Sequence, residues 1–248
     1  MKLYHIFPDL MNLYGDYGNL VVLQKALADA GAEAKVVPVR PGETPDLSDA
    51  DFLYMGPGTE PARNAALEHL RPWRDALAEA VLIRGVPTLF TGNSWTLLGR
   101  SITLADGSPL EGLGLFDYAT VETRDRATGD AIALPAAQAL PSAPAVGFLN
   151  RCDRVTGVET PLFTLEMSKG NDGASPAEGF VLGNFHATHL IGPLLVKNPH
   201  LLNHFVSLLG VEPRPVNEAD HTALAYQVTL TALRQRLAGS RQELTNIS

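Results

Sequence analysis

The chain reads as an α/β protein: a central, mostly parallel sheet with helices on both faces, and extra antiparallel strands in the second half. Three observations predict this. Through the first hundred residues, short apolar runs alternate with helical periodicity across tight turns, the pattern of parallel βαβ units. The segment Pro87-Thr-Leu-Phe-Thr-Gly-Asn-Ser-Trp-Thr-Leu-Leu-Gly99 has the form of a nucleophile elbow, a strand followed by a sharp Gly turn and a helix. Beyond it the apolar runs shorten and are punctuated by turn residues, as short strands are.

Taken in order, residues 2–7 are expected as the first strand. Residues 19–30 form a helix on the spacing of Leu20, Leu23, Leu27 and Ala30. Residues 34–39 and 51–55 are the next strands, the latter ending in Gly56-Pro57-Gly58. Residues 61–84 are helical, with Leu67, Leu70, Leu77 and Ala80 inward and a break at Pro72, whose ring cannot sit inside a helix. Residues 86–91 are the fourth strand and feed the elbow helix, 94–98. Six short strands follow, at 101–104, 116–122, 131–134, 145–150, 162–166 and 180–186. The polar stretch 169–177 is expected as an exposed loop, and helices at 198–209 and 218–237 close the chain. No repeat or linker interrupts the pattern, so residues 1–248 are expected to form one domain.

Bulk properties narrow the function classes. Lys plus Arg number 19 against 27 Asp plus Glu, a net charge of −8, which argues against a nucleic-acid or anionic-membrane surface. No apolar run approaches the ~18 residues of a membrane span. The N-terminal apolar stretch ends at Pro8, too short for a signal peptide. A single cysteine excludes an internal disulfide framework and any Cys-rich metal site. A cytoplasmic location is expected.

Each residue that suggests chemistry has a plainer alternative. Gly56-Pro-Gly58-Thr59 could aim backbone N–H groups at a negative oxygen, or be an ordinary βα turn; it matches no nucleotide-binding pattern. Ser94 resembles the nucleophile of G-x-S-x-G without the closing Gly, and the plainer reading makes it a cap for a helix beginning at Trp95. Cys152 lies between Arg151 and Arg154 in a polar segment after a strand, and reads as an unreactive, partly exposed thiol. His186 and His189, with the helical pair His200 and His204, invite a metal reading. No carboxylate accompanies the helical pair, so no metal site and no cofactor are expected. Arg126 precedes Thr128-Gly129-Asp130 on an expected turn; it is either a solvated charge or a fork for a carboxylate.

Several motifs, in order from Lys2 to about Phe205, carry a resemblance. Met11-Asn-Leu-Tyr-Gly-Asp-Tyr-Gly-Asn-Leu20 looks like an N-L-Y-G-D-x-G-N signature. Gly56-Pro-Gly58 is similar to a G-G-G turn, and Val146-Gly-Phe-Leu-Asn150 to V-G-F-E-N. Lys169-Gly-Asn171 is similar to K-G-x-G-N, and Ile191-Gly-Pro-Leu-Leu-Val-Lys-Asn-Pro199 to H-G-P-L-L-P-K-N-P. These motifs resemble the GatD-like glutaminase subunits of lipid II isoglutaminyl synthase, within the cobyric-acid-synthase-like class I glutamine amidotransferases. The resemblance implies that family's flavodoxin-like fold. It also implies its chemistry: an elbow Cys attacks the amide of glutamine, a His is acid and base, backbone N–H groups hold the oxyanion, and an Arg holds the substrate carboxylate. The ammonia passes to a MurT-like, Mur-ligase-like subunit that uses ATP to amidate the D-glutamate of the peptidoglycan stem.

Carried over in register, C-G-G-Y-Q-L-L-G falls on Gly92 to Gly99 and puts the Cys position on Gly92. Y-L-H-G-P-L-L falls on His189 to Leu195 and puts the His position on Ile191. R-x-I-G-[DN] resembles Arg126-Ala-Thr-Gly-Asp130, so the substrate Arg falls on Arg126. Gly58 and Asn93 take the oxyanion positions. The expectation is a GatD-type protein without glutaminase activity that acts as a scaffold or partner subunit. Two alternatives stand beside it: an active amidotransferase using Ser94 and His189, and a sensor module binding a small carboxylate such as glutamine.

Overall fold

The computed structural model describes residues 1–216 and 220–245. It begins with strand β1 (Lys2–Ile6), helix α1 (Gly18–Asp29), β2 (Lys35–Val39) and β3 (Phe52–Met55). Helix α2 (Glu60–Leu70) gives way to a 3₁₀ turn at Arg71–Trp73 and a short α3 (Arg74–Ala78), so the helical stretch breaks where Pro72 predicts. Strand β4 (Thr88–Thr91) leads into a 3₁₀ turn, Ser94–Leu98. Thr59 caps α2, its hydroxyl accepting the Ala62 N–H at 3.2 Å.

Next come β5 (Ser101–Thr103), β6 (Pro109–Glu111), a 17-residue β7 (Ala119–Pro135) and a 12-residue β8 (Ala145–Thr156). They are followed by β9 (Phe163–Met167), β10 (Ala177–Glu178), β11 (Phe180–Leu182) and β12 (Phe185–Thr188). Helices α4 (Leu194–Lys197), α5 (Pro199–Leu208) and α6 (His221–Thr245) complete the order. The start expected for the last helix, at residue 218, lies outside the described residues.

Two sheets result. The first runs β11-β12-β4-β3-β1-β2 and is parallel except at β11. Leu67, Leu70 and Leu77 from α2 and α3, with Trp73 from the turn between them, bury one face of it against Ile6, Leu53 and Phe90. Leu20, Leu23 and Leu27 of α1, with Leu194, Leu201 and Phe205, cover the other over Leu3, Phe52 and Leu89. Both layers are predominantly apolar, the burial that a parallel sheet requires. The second sheet is built on β7, which pairs antiparallel with β8 and β9 and parallel with β5. Tyr226, Leu230 and Leu233 of α6 close over its Ile132 and Val146.

The second half corrects four expectations. The stretch around Arg126 is not a turn. It belongs to the continuous β7, which β8 pairs on either side of it, from Ala119 to Glu122 and from Ala127 to Ala133, while residues 123–126 bulge out of the ladder at the register shift. Cys152 likewise lies inside β8 rather than after a strand. Residues 180–186 are two strands folded back at Gly183, whose φ of +56° suits a tight hairpin. The loop 169–177 is anchored rather than free. Gly170 and Asn171 are buried, and the Asn171 amide exchanges two 2.8 Å bonds with Gly179. A bridge between Phe148 and Ile191 stitches the sheets together beside the elbow.

Candidate functional site: a cleft at the elbow

The carboxyl ends of β3 and β4, the first loop and the edge of β8 enclose a cleft of about 330 Å³. The loop residues Leu13 and Tyr14 border it, as do Gly58, Gly92 and Ile191, with Arg126, Asn150 and Cys152 on the second-sheet side. This is where an open α/β sheet places a ligand. The structure thus brings Gly92, Ile191, Arg126, Gly58 and Asn93 together around one cavity, with Cys152 among them.

Gly92 takes the conformation of an elbow, with φ of +63°. A Cβ there would overlap the Pro57 Cβ, with the Pro57 Cα 3.2 Å and Cγ 3.3 Å away. The pyrrolidine ring fills the space where a nucleophile's side chain would stand. The neighbouring backbone is also spoken for. The Gly58 N–H donates to Asn93 Oδ1 at 3.0 Å, and Asn93 Nδ2 donates back to the Gly58 carbonyl at 2.9 Å. The expectation that Gly58 offers a free N–H is therefore corrected: an oxyanion there would have to displace a side chain from a two-bond lock.

The opening motif supplies the underpinning. The Asp16 carboxylate, fully buried, accepts from the Tyr54 hydroxyl at 2.6 Å and from the Thr91 hydroxyl, tying β3 to the base of the elbow. Burial raises its pKa, against the pull of those hydrogen bonds. Asn19 accepts the Leu195 N–H at 2.7 Å and fixes the segment after Ile191.

Ser94 and His189 do not meet over the cleft, and neither borders it. Ser94 is fully buried and donates toward the Thr91 carbonyl at 2.8 Å and that of Met55 at 3.0 Å. It is not a cap for Trp95 either, since the turn starts at Ser94 with Asn93 preceding it. His189 is buried against Trp95, ring centroids 4.9 Å apart. Its Nε2 lies 3.2 Å from Asp153 and its Nδ1 3.3 Å from Glu178, charge contacts that miss the direction of a hydrogen bond. Burial alone would depress its pKa. The Asp153 and Glu178 carboxylates outweigh it and raise the pKa, favouring the charged ring. Arg151, also buried, donates to the Asp153, Gly170 and Asn171 carbonyls. That need for carbonyl acceptors is what draws loop 169–177 inward.

On the cleft's polar wall Arg126 donates to Asn150 Oδ1 at 2.9 Å and sits 3.4 Å from Glu60. Asn150 in turn donates to the Tyr14 hydroxyl at 2.7 Å. The Cys152 thiol donates to Glu60 at 2.7 Å. Burial and the Glu60 carboxylate push its pKa up to about 12, so it is a neutral, poorly nucleophilic thiol. Burial opposes ionisation of Glu60, but the thiol and Arg126 hold its pKa below the usual value.

His186 and His204 meet Nε2 to Nε2 at 3.3 Å, while His200 packs edge-on against Tyr226. Among the described residues no three His, Cys, Asp or Glu side chains converge as a metal would need, and no helix is long and apolar enough to cross a membrane. Sequence reasoning missed Pro57, Glu60 and Tyr14 as cleft residues. Pro57 and Asn93 could have been found, since each stands where the similar motif has Gly.

Comparisons with known proteins identify the family. The profile of the CobB/CobQ-like glutamine amidotransferase domain matches residues 2–199. The chain is 29% identical over 227 residues to "Lipid II isoglutaminyl synthase (glutamine-hydrolyzing) subunit GatD" of Staphylococcus aureus (strain N315), covering 89% of this chain and 91% of that protein. It is 25% identical over 210 residues to the protein of the same name from Streptococcus pneumoniae (strain ATCC BAA-255 / R6), covering 84% and 79%. A glutamine amidotransferase crystal structure superposes with a TM-score of 0.53 at 18% identity, over 84% of this chain and all of that one. Another, from Thermotoga maritima, gives 0.52 at 14%, over 96% and 97%. At these identities the solved structures speak for the fold alone.

Proposed function

Because the chain belongs to the CobB/CobQ-like glutamine amidotransferase domain family, we propose that it is a GatD-type subunit that has given up glutamine hydrolysis and serves as a non-catalytic partner. The observation that carries this reading is Pro57, whose ring occupies the volume a nucleophile on residue 92 would need. Ile191 at the acid–base position and the Asn93–Gly58 lock support it. Without nucleophile or base, what binding and a partial oxyanion site can contribute is a small part of an enzyme's acceleration.

The partner we infer is a MurT-like, Mur-ligase-like subunit that uses ATP to amidate the D-glutamate of the peptidoglycan stem, in the cytoplasm. The GatD relatives are themselves named as subunits of lipid II isoglutaminyl synthase. The test is glutamate release from glutamine by the purified chain, alone and with the ligase-like protein. No release, together with a stoichiometric complex, is the expected result. Hydrolysis lost in Ser94→Ala or His189→Ala would overturn it and establish the active alternative. A second reading, a module that binds a small carboxylate, is favoured by Arg126 facing the cleft.

A further inference from the structure

Helix α6 lies beyond the residues that the amidotransferase profile matches, which end at 199. One side of it is accounted for. Ala223, Tyr226, Leu230 and Leu233 are buried, the last three over the second sheet. The side turned away from the sheet is uncharged. From His221 to Leu233 the sequence holds no Asp, Glu, Lys or Arg, although Leu224, Ala225, Val228, Thr231 and Ala232 are all exposed. Val228 is 69% exposed and Leu224 47%. A helix that faces water on one side carries charge there; one uncharged on both sides is built to be covered on both.

At 3.6 residues per turn, Val228 points directly away from the buried side. His221 and Gln235 lie within about 20° of the same direction, and Leu224, Ala225, Thr231 and Ala232 within about 60°. The stripe therefore repeats every seven residues, the spacing of a helix–helix seam. Val228, Thr231, Ala232 and Gln235 stand at i, i+3, i+4 and i+7, the four corners of the hole that receives a side-chain knob in such a seam. A shallow depression lies over these four, with Gln227 at its edge.

The pattern is self-complementary about Val228, as an interface between two identical subunits must be. With a second α6 running antiparallel, Val228 meets its own copy. Leu224 of each copy then arrives at the level of Ala232 of the other, over that hole, and His221 arrives beside Gln235. A large side chain faces a small one on both sides of the axis, which lets the helices approach closely. Charge favours the same direction. Asp220 precedes the stripe, while Arg234 and Arg236, the latter bonded to Asp130, follow it, and all three are exposed. Antiparallel pairing lays each acidic end beside the other copy's basic end and opposes the helix dipoles; parallel pairing would set like charges together.

We propose that α6 pairs with the α6 of a second copy of this chain, antiparallel and two-fold symmetric about Val228, with Leu224 of each copy seated among Val228, Thr231, Ala232 and Gln235 of the other. One helix pair buries a small area, in the class below about 1,200 Å² that serves reversible association. None of the described α6 residues borders the elbow cleft, so the pairing is independent of how that cleft is read.

The test is sedimentation equilibrium of the full chain from about 10 μM to about 1 mM, where a reversible monomer–dimer equilibrium is expected. Val228→Glu sets two carboxylates on the axis and should raise the dissociation constant about tenfold or more, with urea unfolding of the chain unchanged. In a Cys152→Ser background, Val228→Cys should give a disulfide-linked dimer on oxidation with copper phenanthroline, because the axial residue meets itself. Thr229→Cys, also exposed but about 100° further round the helix, should link about tenfold more slowly. A chain that stays monomeric throughout this range overturns the proposal. So does a dimer indifferent to Val228→Glu, or Thr229→Cys linking as fast as Val228→Cys. If the chain alone is monomeric and Val228→Glu instead breaks its complex with the ligase-like protein, the face belongs to that partner and the second copy is excluded.

Discussion

Replacing Gly92 by Cys, the residue that the resemblance would put on the elbow, is expected to damage the protein. Two costs add. A non-glycine residue at φ of +63° costs about 1–2 kcal/mol. Overlap of the new Cβ with the Pro57 ring adds about 1–3 kcal/mol, the usual range for overpacking a filled site. The sum, about 2–5 kcal/mol, is a large share of a typical folding free energy. The two terms separate in a double-mutant cycle with Pro57→Gly. Removing the ring abolishes the overlap but not the backbone term, so Gly92→Cys should cost about 1–3 kcal/mol less in the Pro57→Gly background. Urea unfolding of the four proteins, with m-values compared to check two-state behaviour, gives the coupling directly. Additive effects, or a Gly92→Cys protein as stable as the parent, would refute the claim that Pro57 fills the nucleophile's space.

Other perturbations test the surrounding structure. Asn93→Ala removes both bonds to Gly58 and should destabilise by about 1–3 kcal/mol in urea unfolding; a neutral result would mean that the lock contributes nothing. Arg151→Met strips the buried cation from Asp153 and His189 and should cost about 3–5 kcal/mol, with faster amide exchange across loop 169–177 as the local signature. Burial lowers the pKa of His5, His186 and His200 to about 4 each. Below about pH 6.5 the unfolded chain takes up protons that these rings refuse until about pH 4, so the melting temperature should fall as pH drops across that window. His200→Phe, which keeps a ring on Tyr226, should flatten part of the fall. His189 has the opposite sign: its raised folded pKa gives a contribution complete below about pH 6.5 and lost as pH rises through the folded value.

The first sheet was readable because its strands are short, apolar and separated by Gly and Pro signals, and Pro72 announced its own break. The second sheet was harder for a physical reason. Along β7 the residues from Glu122 to Asp130 are polar and partly exposed, so neither hydrophobic alternation nor a turn signal distinguishes strand from loop. Pairing with β8 on both sides of a bulge at residues 123–126, a non-local fact, makes them part of one strand. The buried ion cluster was opaque for the same reason. Arg151, Asp153, Glu178 and His189 look like surface residues one at a time, and their burial depends on meeting one another. At the cleft, Gly92 and Ile191 were legible from the register of the motifs. Which hydrogen bonds Gly58 makes was not.

The changes around the elbow form a set in which each member removes the cost of another. A glycine at residue 92 alone would leave a void and a freed turn at the carboxyl end of β4; Pro57 fills that void and stiffens the turn opposite. An oxyanion-type N–H left with no charge to bind would be a partly buried donor in want of an acceptor, and Asn93 supplies one. Ile191 then extends an apolar wall that a histidine would have made wet. Local choices that agree in this way are what a stable, single structure requires. As the resemblance aligns the elbow, a Cys placed at residue 92 would meet the Pro57 ring and the Asn93–Gly58 pair before it met a substrate.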